Sequence, residues 1–260
     1  MPDFDTSVPH SARVYDYWLG GKDNFAADRE VGEQTIAAYP NVVFSVRAGR
    51  AFLARAVRFL VTECGITQFL DVGTGIPTAN NTHEVAQRFA PASRIVYVDN
   101  DPIVLSHAQA LLKSDPEGAC DYIDADMHDT AGIITAASRT LDFGKPVAVM
   151  LIAVLQYGGN DEEIGGVVRR LMAPCVPGSY LTISHPASDI DAEQTAEFTR
   201  RFNESAAEHM VRRDHAGVTS LFDGLTLVEP GVTRTAEWRP DSELEAKSPA
   251  ALWAGVARKD

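Results

Sequence analysis

The chain has 260 residues, and its 36 acidic residues against 23 Lys and Arg give a formal net charge of −13 at pH 7. A hydrophobic content of 45% is typical of a globular protein and excludes a disordered chain, and a chain of this length buries a core without disulfides. The acidic excess argues against nonspecific binding to nucleic acid or to an anionic membrane, so we expect neither as a partner.

The cysteines and the apolar runs indicate the compartment. Cys64, Cys120 and Cys175 have neither metal-ligand nor redox spacing, and we interpret them as reduced thiols. The longest apolar run, residues 147–155, has about half the length of a membrane span. The first residues lack the basic and apolar segments of a signal peptide. The sequence therefore predicts a cytoplasmic protein without a membrane span.

The first predicted helix lies within residues 11–24. Tyr15 and Trp18 would share its apolar face, and the Gly20-Gly21 pair would end it, because glycine readily adopts the left-handed conformation found at helix ends. Composition alone fits a short packing helix as well as it fits a functional segment.

A longer helical pattern covers residues 41–63. Its apolar residues at helical spacing are Val46, Leu53, Val57 and Leu60. The arginines between them are Arg47, Arg50, Arg55 and Arg58. We interpret these arginines as a solvated face rather than an anion site. Residues 1–64 are therefore predicted to form a helical cap, packed over a core made by residues 65–260.

From about residue 67, short apolar runs alternate with amphipathic stretches. Strands are predicted at residues 68–72, 94–99, 119–123, 147–155 and 178–184, and helices at residues 81–89, 102–113, 129–140, 161–172 and 193–211. This alternation indicates a parallel α/β sheet. Residues 224–228 and 250–257 read as two further strands with no clear helix between them, which predicts an antiparallel pair at one edge. The expected fold is a Rossmann-like, seven-stranded, mostly parallel sheet.

The turn after the first strand reads Asp71-Val-Gly73-Thr74-Gly75-Ile-Pro-Thr78. The glycines allow a sharp turn and a close backbone approach to a ligand. A dinucleotide fingerprint would have Gly or Ala where Thr78 stands, and the charge of Asp71 would face a pyrophosphate. The turn therefore favours a cationic ligand over NAD.

Two further predicted strand ends carry carboxylates, and ligands of open α/β sheets bind beyond such ends. Asp99 follows the second strand, where it could accept hydrogen bonds from both hydroxyls of a ribose. Asp126 follows the third strand, where it could accept from an adenine amino group while Met127 packs on the ring. Each of these acids could instead be a helix N-cap or a turn residue, but their common register favours one shared site.

The order Asp-x-Gly-x-Gly, then an acid after strand two and Asp after strand three, resembles the class I S-adenosylmethionine-dependent methyltransferases. That fold also closes with an antiparallel seventh strand. A closer resemblance covers nearly the whole chain and rests on residues 12–29, 69–78 and 98–102. These segments are similar to an actinobacterial group of S-adenosyl methyltransferases formerly classed as a domain of unknown function. The N-terminal segment is the most specific part of the match.

The resemblance implies S-adenosylmethionine as the cofactor. Asp71 would lie near its methionine ammonium, Asp99 would hold its ribose, and Asp126 with Met127 would meet its adenine. The cap would act as a lid, with Arg13 pairing with the methionine carboxylate and Tyr15 or Tyr17 lining the transfer channel. The cofactor-binding residues predicted in this way are Asp71, Gly73, Thr74, Gly75, Asp99, Asn100, Asp126, Met127, Arg13 and Tyr17. The sequence departs from the wider fold at Pro77-Thr78, where many members have a third Gly.

The reaction is less well specified than the cofactor. The loop after strand four lacks the Asn/Asp-Pro-Pro-Tyr signature of many amino-group methyltransferases, and no metal triad is evident. The candidates for a catalytic role are His185, Tyr157 and Tyr15, although a lone His is more often structural. The other histidines considered, His107, His128, His209 and His215, show no spacing that suggests shared chemistry.

We therefore predict methyl transfer from S-adenosylmethionine to a small-molecule acceptor, without a metal. Two alternatives stay open at this point. One is a non-catalytic, cofactor-binding regulatory module. The other, less favoured, is an NAD-dependent oxidoreductase.

Overall fold

A mixed β-sheet forms the centre of the computed structural model, which describes residues 5–104, 114–205 and 208–260. The strands are β1 (Gln68–Val72), β2 (Arg94–Asp99), β3 (Ala119–Asp124), β4 (Ala148–Ile152), β5 (Tyr180–Pro186), β6 (Thr226–Leu227), β7 (Thr233–Arg234) and β8 (Leu252–Arg258). Seven of them lie in the order β3-β2-β1-β4-β5-β8-β6, and β7 pairs with a different part of β8. Strands β1 to β5 are parallel, whereas β8 is antiparallel to β5 and β6. The predicted mostly parallel sheet with an antiparallel terminal strand is confirmed.

Helices cover both faces of this sheet. The α-helices in the described ranges are α1 (Ser11–Leu19), α2 (Ala26–Ala38), α3 (Val42–Thr62), α4 (Thr82–Phe89), α5 (Thr130–Ala137), α6 (Asp161–Met172), α7 (Ala192–Ser205), α8 (His215–Ser220) and α9 (Glu243–Ala246). A 3-10 turn at Leu155–Tyr157 follows β4. Helices α3 and α4 pack on one face, and α5, α6 and α8 pack on the other. The sheet is therefore buried on both sides, as expected for parallel strands.

Several elements differ in length from their predictions. Strand β4 ends at Ile152 because Ala153 adopts a left-handed backbone conformation with φ 52°. Helix α7 is described over Ala192–Ser205, and residues 208–211, which were predicted to be helical, are not. Of the helix predicted over residues 102–113, residues 102–104 are helical and the remainder lies outside the described ranges. The short strand β7 and helix α9 between β6 and β8 were not predicted.

The predicted N-terminal cap contains two kinds of packing. Helix α3 contacts the sheet directly, with Phe52 and Leu60 fully buried against it. Helices α1 and α2 instead form a separate apolar cluster with α7, in which Trp18 meets Phe198 at a ring distance of 6.1 Å. Gly20 ends α1 in the left-handed conformation with φ 85°, which confirms the predicted glycine stop. The first two helices are therefore held by α7, close to the carboxyl ends of the strands.

The interpretation of the four α3 arginines as a solvated face is wrong for Arg55. Its side chain is buried, and it donates hydrogen bonds to the carbonyls of Trp238 and Thr235 at 3.0 and 2.6 Å. It also pairs with Glu245. The guanidinium satisfies backbone carbonyls of the loop between β7 and α9, so it holds that loop against the sheet. Arg47, by contrast, is exposed as predicted.

Candidate active site

A cavity of about 960 Å³, measured with its open mouth, lies beyond the carboxyl ends of β1 to β4. Its other walls come from the start of α1, from α3 and from the segment after α7. The cavity brings together most of the predicted residues: Asp71, Gly73, Thr74, Gly75, Asp99, Asn100, Asp126, Met127, Tyr15 and Tyr157.

Asp71 lies at the floor of the cavity and is 3% exposed. Its Oδ2 accepts a hydrogen bond of 2.6 Å from the Thr82 hydroxyl. Burial raises the pKa of Asp71 to about 6, against the lowering effects of Thr82 and Arg50. The carboxylate is therefore costly to charge when no cation is bound beside it.

The glycine turn after β1 passes directly under the cavity. Gly73 and Gly75 have φ values of 74° and 66°, which favour glycine. A side chain at Gly73 would overlap Val154, whereas a side chain at Gly75 would meet open space. Thr74 fixes the turn, since its hydroxyl donates to the Asp71 carbonyl at 3.1 Å.

Asp99 links this turn to the end of β2. Its Oδ2 accepts from the Gly75 amide at 2.7 Å, and its Oδ1 accepts from the Asp101 amide at 3.0 Å. Burial nevertheless raises the pKa of Asp99, and these two backbone hydrogen bonds only partly oppose it. A carboxylate has about four lone-pair sites, so Asp99 retains acceptor capacity toward the cavity.

The end of β3 forms the outer wall. Asp126 Oδ1 lies 2.6 Å from His128 Nδ1, and His128 Nε2 lies 3.1 Å from the Gly158 carbonyl oxygen. Both ring nitrogens thus face acceptors, and the hydrogen bond with Asp126 raises the pKa of His128. His128 was not predicted to belong to the site. Asn100 Nδ2 lies 3.5 Å from Asp126 Oδ2 and completes this wall.

Arg50 is a site residue that the sequence interpretation placed on a solvated face, and this interpretation is wrong. Its side chain lines the cavity and lowers the pKa of Asp71, so its charge faces that carboxylate. One terminal nitrogen lies 3.3 Å from each of the Ala79 and Asn80 carbonyl oxygens. Its buried Nε has no hydrogen-bond partner among the described residues. Arg50 is four residues after Val46 and three before Leu53. This helical spacing places it on the same face as those apolar residues, and that pattern could have identified it.

The start of α1 closes the cavity from above. His10 Nδ1 lies 3.0 Å from Asp101 Oδ2, and the Ser11 hydroxyl donates to Glu208 Oε2 at 3.0 Å. His10, Ser11 and Glu208 all line the cavity and were not predicted. They come from segments nearly 200 residues apart, and no local pattern marks them as one group.

Two predicted cofactor residues lie outside the lining. Arg13 is buried and donates to the Val8 carbonyl at 2.7 Å, and its Nε lies 3.5 Å from Asp28 Oδ1. Tyr17 packs on Gly32, and its hydroxyl donates to Glu33 at 3.3 Å. Both residues therefore hold α1 to α2 and its flanking turns, and their predicted direct contacts with the cofactor have no support in this geometry.

His185 also lies away from the cavity. It is fully buried on β5, and its Nε2 lies 2.9 Å from an Arg213 terminal nitrogen. Because a guanidinium only donates, Nε2 must accept, and Nδ1 then donates to the Pro186 carbonyl at 3.0 Å. Burial lowers the pKa of His185 to about 3, with Arg213 adding to the effect. A neutral histidine with both nitrogens occupied is structural, so the prediction of His185 as a candidate base is corrected.

The described ranges contain no group of three or more His, Cys, Asp or Glu arranged to hold a metal ion. Across those same ranges, no helix has both the length and the apolar character required to cross a membrane. The three cysteines are free thiols.

Comparison with known proteins gives a consistent family assignment. A family model described as S-adenosyl methyltransferase matches residues 1–260. A DUF574 family protein from Streptomyces avermitilis is 43% identical, with 98% of this chain and 99% of that chain covered and a TM-score of 0.93. A Thermobifida fusca protein, proposed to be a methyltransferase, is 40% identical over 100% of this chain and 98% of its own, with a TM-score of 0.91. The plantazolicin methyltransferase BpumL is 12% identical over 96% of each chain, and its TM-score of 0.55 shows a common fold alone. No curated protein matches the chain.

Proposed function

The chain belongs to the S-adenosyl methyltransferase family, and on this premise we propose that it methylates a small molecule in the cavity at the strand ends. The cofactor of the family is S-adenosylmethionine. The observation that carries the proposal is the convergence of Asp71, Asp99 and Asp126 with Arg50 on one cavity.

The residues present fit this cofactor. S-adenosylmethionine carries an ammonium, a sulfonium and a carboxylate, and it has no phosphate. Asp71 is a buried acid that is costly to charge alone, and an ammonium beside it would offset that cost. Arg50 has a buried Nε without a partner in the described residues, and a carboxylate would satisfy it. The Asp71 carboxylate and the Arg50 guanidinium are therefore complementary in charge to the ammonium and carboxylate of the cofactor's amino-acid end.

We assign the remaining contacts by chemistry. Asp99 would accept from the ribose hydroxyls, and Asp126 with Met127 would contact the adenine. Gly73 and Gly75 would let the backbone approach the cofactor closely. When bound, S-adenosylmethionine supplies an electrophilic methyl group on a positively charged sulfur.

The residues of the chain would contribute mainly orientation and exclusion of water, which are the principal means of accelerating a displacement of this type. Tyr15 and Tyr157 line the cavity from α1 and from the turn after β4. They would position the acceptor. Burial raises the pKa of Tyr15, so its hydroxyl is better suited to hydrogen bonding than to acting as an anion.

We propose that residues 1–64 act as the cap of a core formed by residues 65–260, with α1 serving as its lid. The lid contacts are those of His10 with Asp101 and Ser11 with Glu208. The Gly20-Gly21 pair is the proposed hinge. Helix α3 supports the sheet as well, so the moving part would be confined to the segment before it.

A small acceptor is supported by the way the cavity is covered. The start of α1 lies over the approach, and Tyr15 and Tyr157 belong to the same lining as the proposed cofactor residues. The acceptor would have to fit beneath this cover together with the cofactor.

The test of the proposal is release of S-adenosylhomocysteine when the protein is incubated with S-adenosylmethionine and a panel of small metabolites. Acceptor-dependent release, together with a product heavier by one methylene unit in mass spectrometry, is expected. Tight binding of S-adenosylmethionine without release of S-adenosylhomocysteine with any metabolite of the panel would instead favour a regulatory module. Absence of cofactor binding would contradict the proposal.

A further inference from the structure

We propose that the methyl acceptor is a small amine whose protonated form is bound by Glu208. This inference rests on the proposed methyl transfer and adds the chemical class of the acceptor. Glu208 follows α7 and belongs to the cavity lining, on the side closed by α1.

The carboxylate of Glu208 is held in place from one side. Its Oε2 accepts the Ser11 hydroxyl at 3.0 Å, and the residue is half-buried. Burial raises the pKa of Tyr157, and the nearby charge of Glu208 raises it further. Glu208 is thus close to the tyrosine that follows β4, at the part of the cavity assigned to the acceptor.

The other acidic residues of the lining are each assigned to a group of the cofactor or paired with a protein side chain. Asp71 and Asp99 are assigned to the ammonium and the ribose of the cofactor, and Asp126 is paired with His128. Within the described ranges, no Lys, Arg or His side chain lies within ion-pair distance of Glu208. The charge of Glu208 helps to raise the pKa of His10, but the imidazole itself lies against Asp101. Glu208 is therefore the lining carboxylate to which no group of the cofactor is assigned and with which no described basic side chain forms an ion pair.

The basic groups of the lining are occupied, which disfavours an anionic acceptor. His10 lies against Asp101, and His128 lies against Asp126, at 3.0 and 2.6 Å. Arg50 faces Asp71 and is assigned to the cofactor carboxylate. An ammonium group placed at Glu208 would be attracted by its carboxylate, whereas a carboxylate there would be repelled.

The apolar and aromatic residues of the cavity lining favour an amine that carries an apolar substituent. Tyr15, Leu53 and Tyr157 belong to the lining of the same cavity. The aromatic faces also attract cations, so they reinforce the selection by charge. A compact aromatic or alkyl amine matches this combination better than a sugar or an organic acid does.

The bound amine must lose a proton before its nitrogen can attack. We assign that proton to the Glu208 carboxylate. The freed nitrogen lone pair then forms the bond to the methyl carbon, and the carbon–sulfur bond breaks with its electrons remaining on sulfur. The positive charge passes to the methylated nitrogen, and the proton on Glu208 is returned to solvent. Glu208 would thereby orient and deprotonate the acceptor.

The experiment compares isosteric probes of opposite charge on protein saturated with S-adenosylhomocysteine. The pairs are phenethylamine with 3-phenylpropanoate and hexylamine with heptanoate, measured by calorimetry. We expect at least one amine to bind roughly tenfold or more tightly than its carboxylate partner, as a single charge-assisted contact would give. Glu208→Gln should lose this preference while keeping its affinity for S-adenosylhomocysteine.

Glu204→Gln is the matched control, because Glu204 is exposed on α7 and pairs with Arg200 outside the cavity. It should keep the amine preference. Failure of the wild-type protein to bind S-adenosylhomocysteine would defeat the proposed function itself. Normal binding of S-adenosylhomocysteine without an amine preference in either pair, or with a preference that survives in Glu208→Gln, would overturn the amine assignment alone.

Discussion

The imidazole Nδ1 of His10 lies 3.0 Å from Oδ2 of Asp101, and this contact joins the start of α1 to the loop after β2. Asp101 also donates its amide to Asp99, the acid assigned to the ribose. One ion pair therefore connects the proposed lid with the proposed cofactor site. Such a link would make closure of the lid sensitive to the charge of His10.

Replacement of His10 by Gln should remove a pH-dependent contribution to stability. Burial lowers the pKa of His10, but the hydrogen bond and charge of Asp101 outweigh it, so the pKa is raised. The contribution is therefore fully present below the unfolded pKa of about 6.5 and is lost as pH rises through the raised value. Thermal unfolding should show the largest loss of Tm in the variant near pH 6, and a smaller loss at higher pH. An equal loss of Tm at every pH would contradict this, and His209→Gln, at an exposed position, is the control.

Replacement of Asp71 by Asn should stabilise the ligand-free protein at neutral pH. The folded pKa of about 6 lies above the unfolded value, so charging Asp71 destabilises the fold above pH 6, and protonation relieves this as pH falls. A shift of about two units corresponds to roughly 2–3 kcal/mol, and this gain should vanish below about pH 4. Denaturant unfolding of both proteins from pH 4 to 8 measures it. A variant less stable than wild type at pH 8 would contradict this, because it would show that neighbouring groups already stabilise the ionised Asp71 carboxylate.

Replacement of Arg50 by Met should weaken binding of S-adenosylhomocysteine by roughly tenfold or more, since a charge-assisted hydrogen bond contributes about 1.5–3 kcal/mol. Binding of methylthioadenosine, which lacks the amino-acid end, should change little. Calorimetric titration of both ligands separates the two effects. Arg47→Met is the control, because Arg47 lies on the same helix and is exposed. Equal weakening of both ligands would place Arg50 in a structural role.

Alanine at Gly73 should be more destabilising than alanine at Gly75. Both positions have left-handed backbone, which costs an L-residue about 1–2 kcal/mol. A methyl group at Gly73 would also overlap Val154, and overpacking adds about 1–3 kcal/mol. Urea unfolding should therefore give the larger loss for Gly73→Ala, partly restored by adding Val154→Ala. Equal losses at the two glycines would mean that Val154 moves aside freely.

The proposed cofactor side of the cavity was predictable because its residues are marked by local sequence patterns. Asp71, Asp99 and Asp126 each lie at or just after the carboxyl end of a strand, and parallel strands bring these ends to one edge. The proposed acceptor side was not predictable in this way. His10 and Glu208 meet only through the packing of α1 and α2 on α7, which no short pattern encodes.

The errors have the same origin in tertiary packing. Arg55 and Arg50 were placed on a solvated face because charge normally marks exposure, yet each lies at helical spacing from apolar residues. His185 lies on β5, between β4 and β8, and the cavity lies beyond the ends of β1 to β4. The sequence pattern located it at a strand end without indicating which strand ends surround the cavity.

The most direct test of the proposed site is calorimetric titration of S-adenosylhomocysteine into the wild-type protein and Asp99→Asn. Asp124→Asn is the control, because Asp124 is an exposed acid at the end of β3 outside the lining. We expect one binding site in wild type and in the control, and at least about tenfold weaker binding in Asp99→Asn. Equal affinity in Asp99→Asn and wild type would contradict the assignment of this cavity to the cofactor.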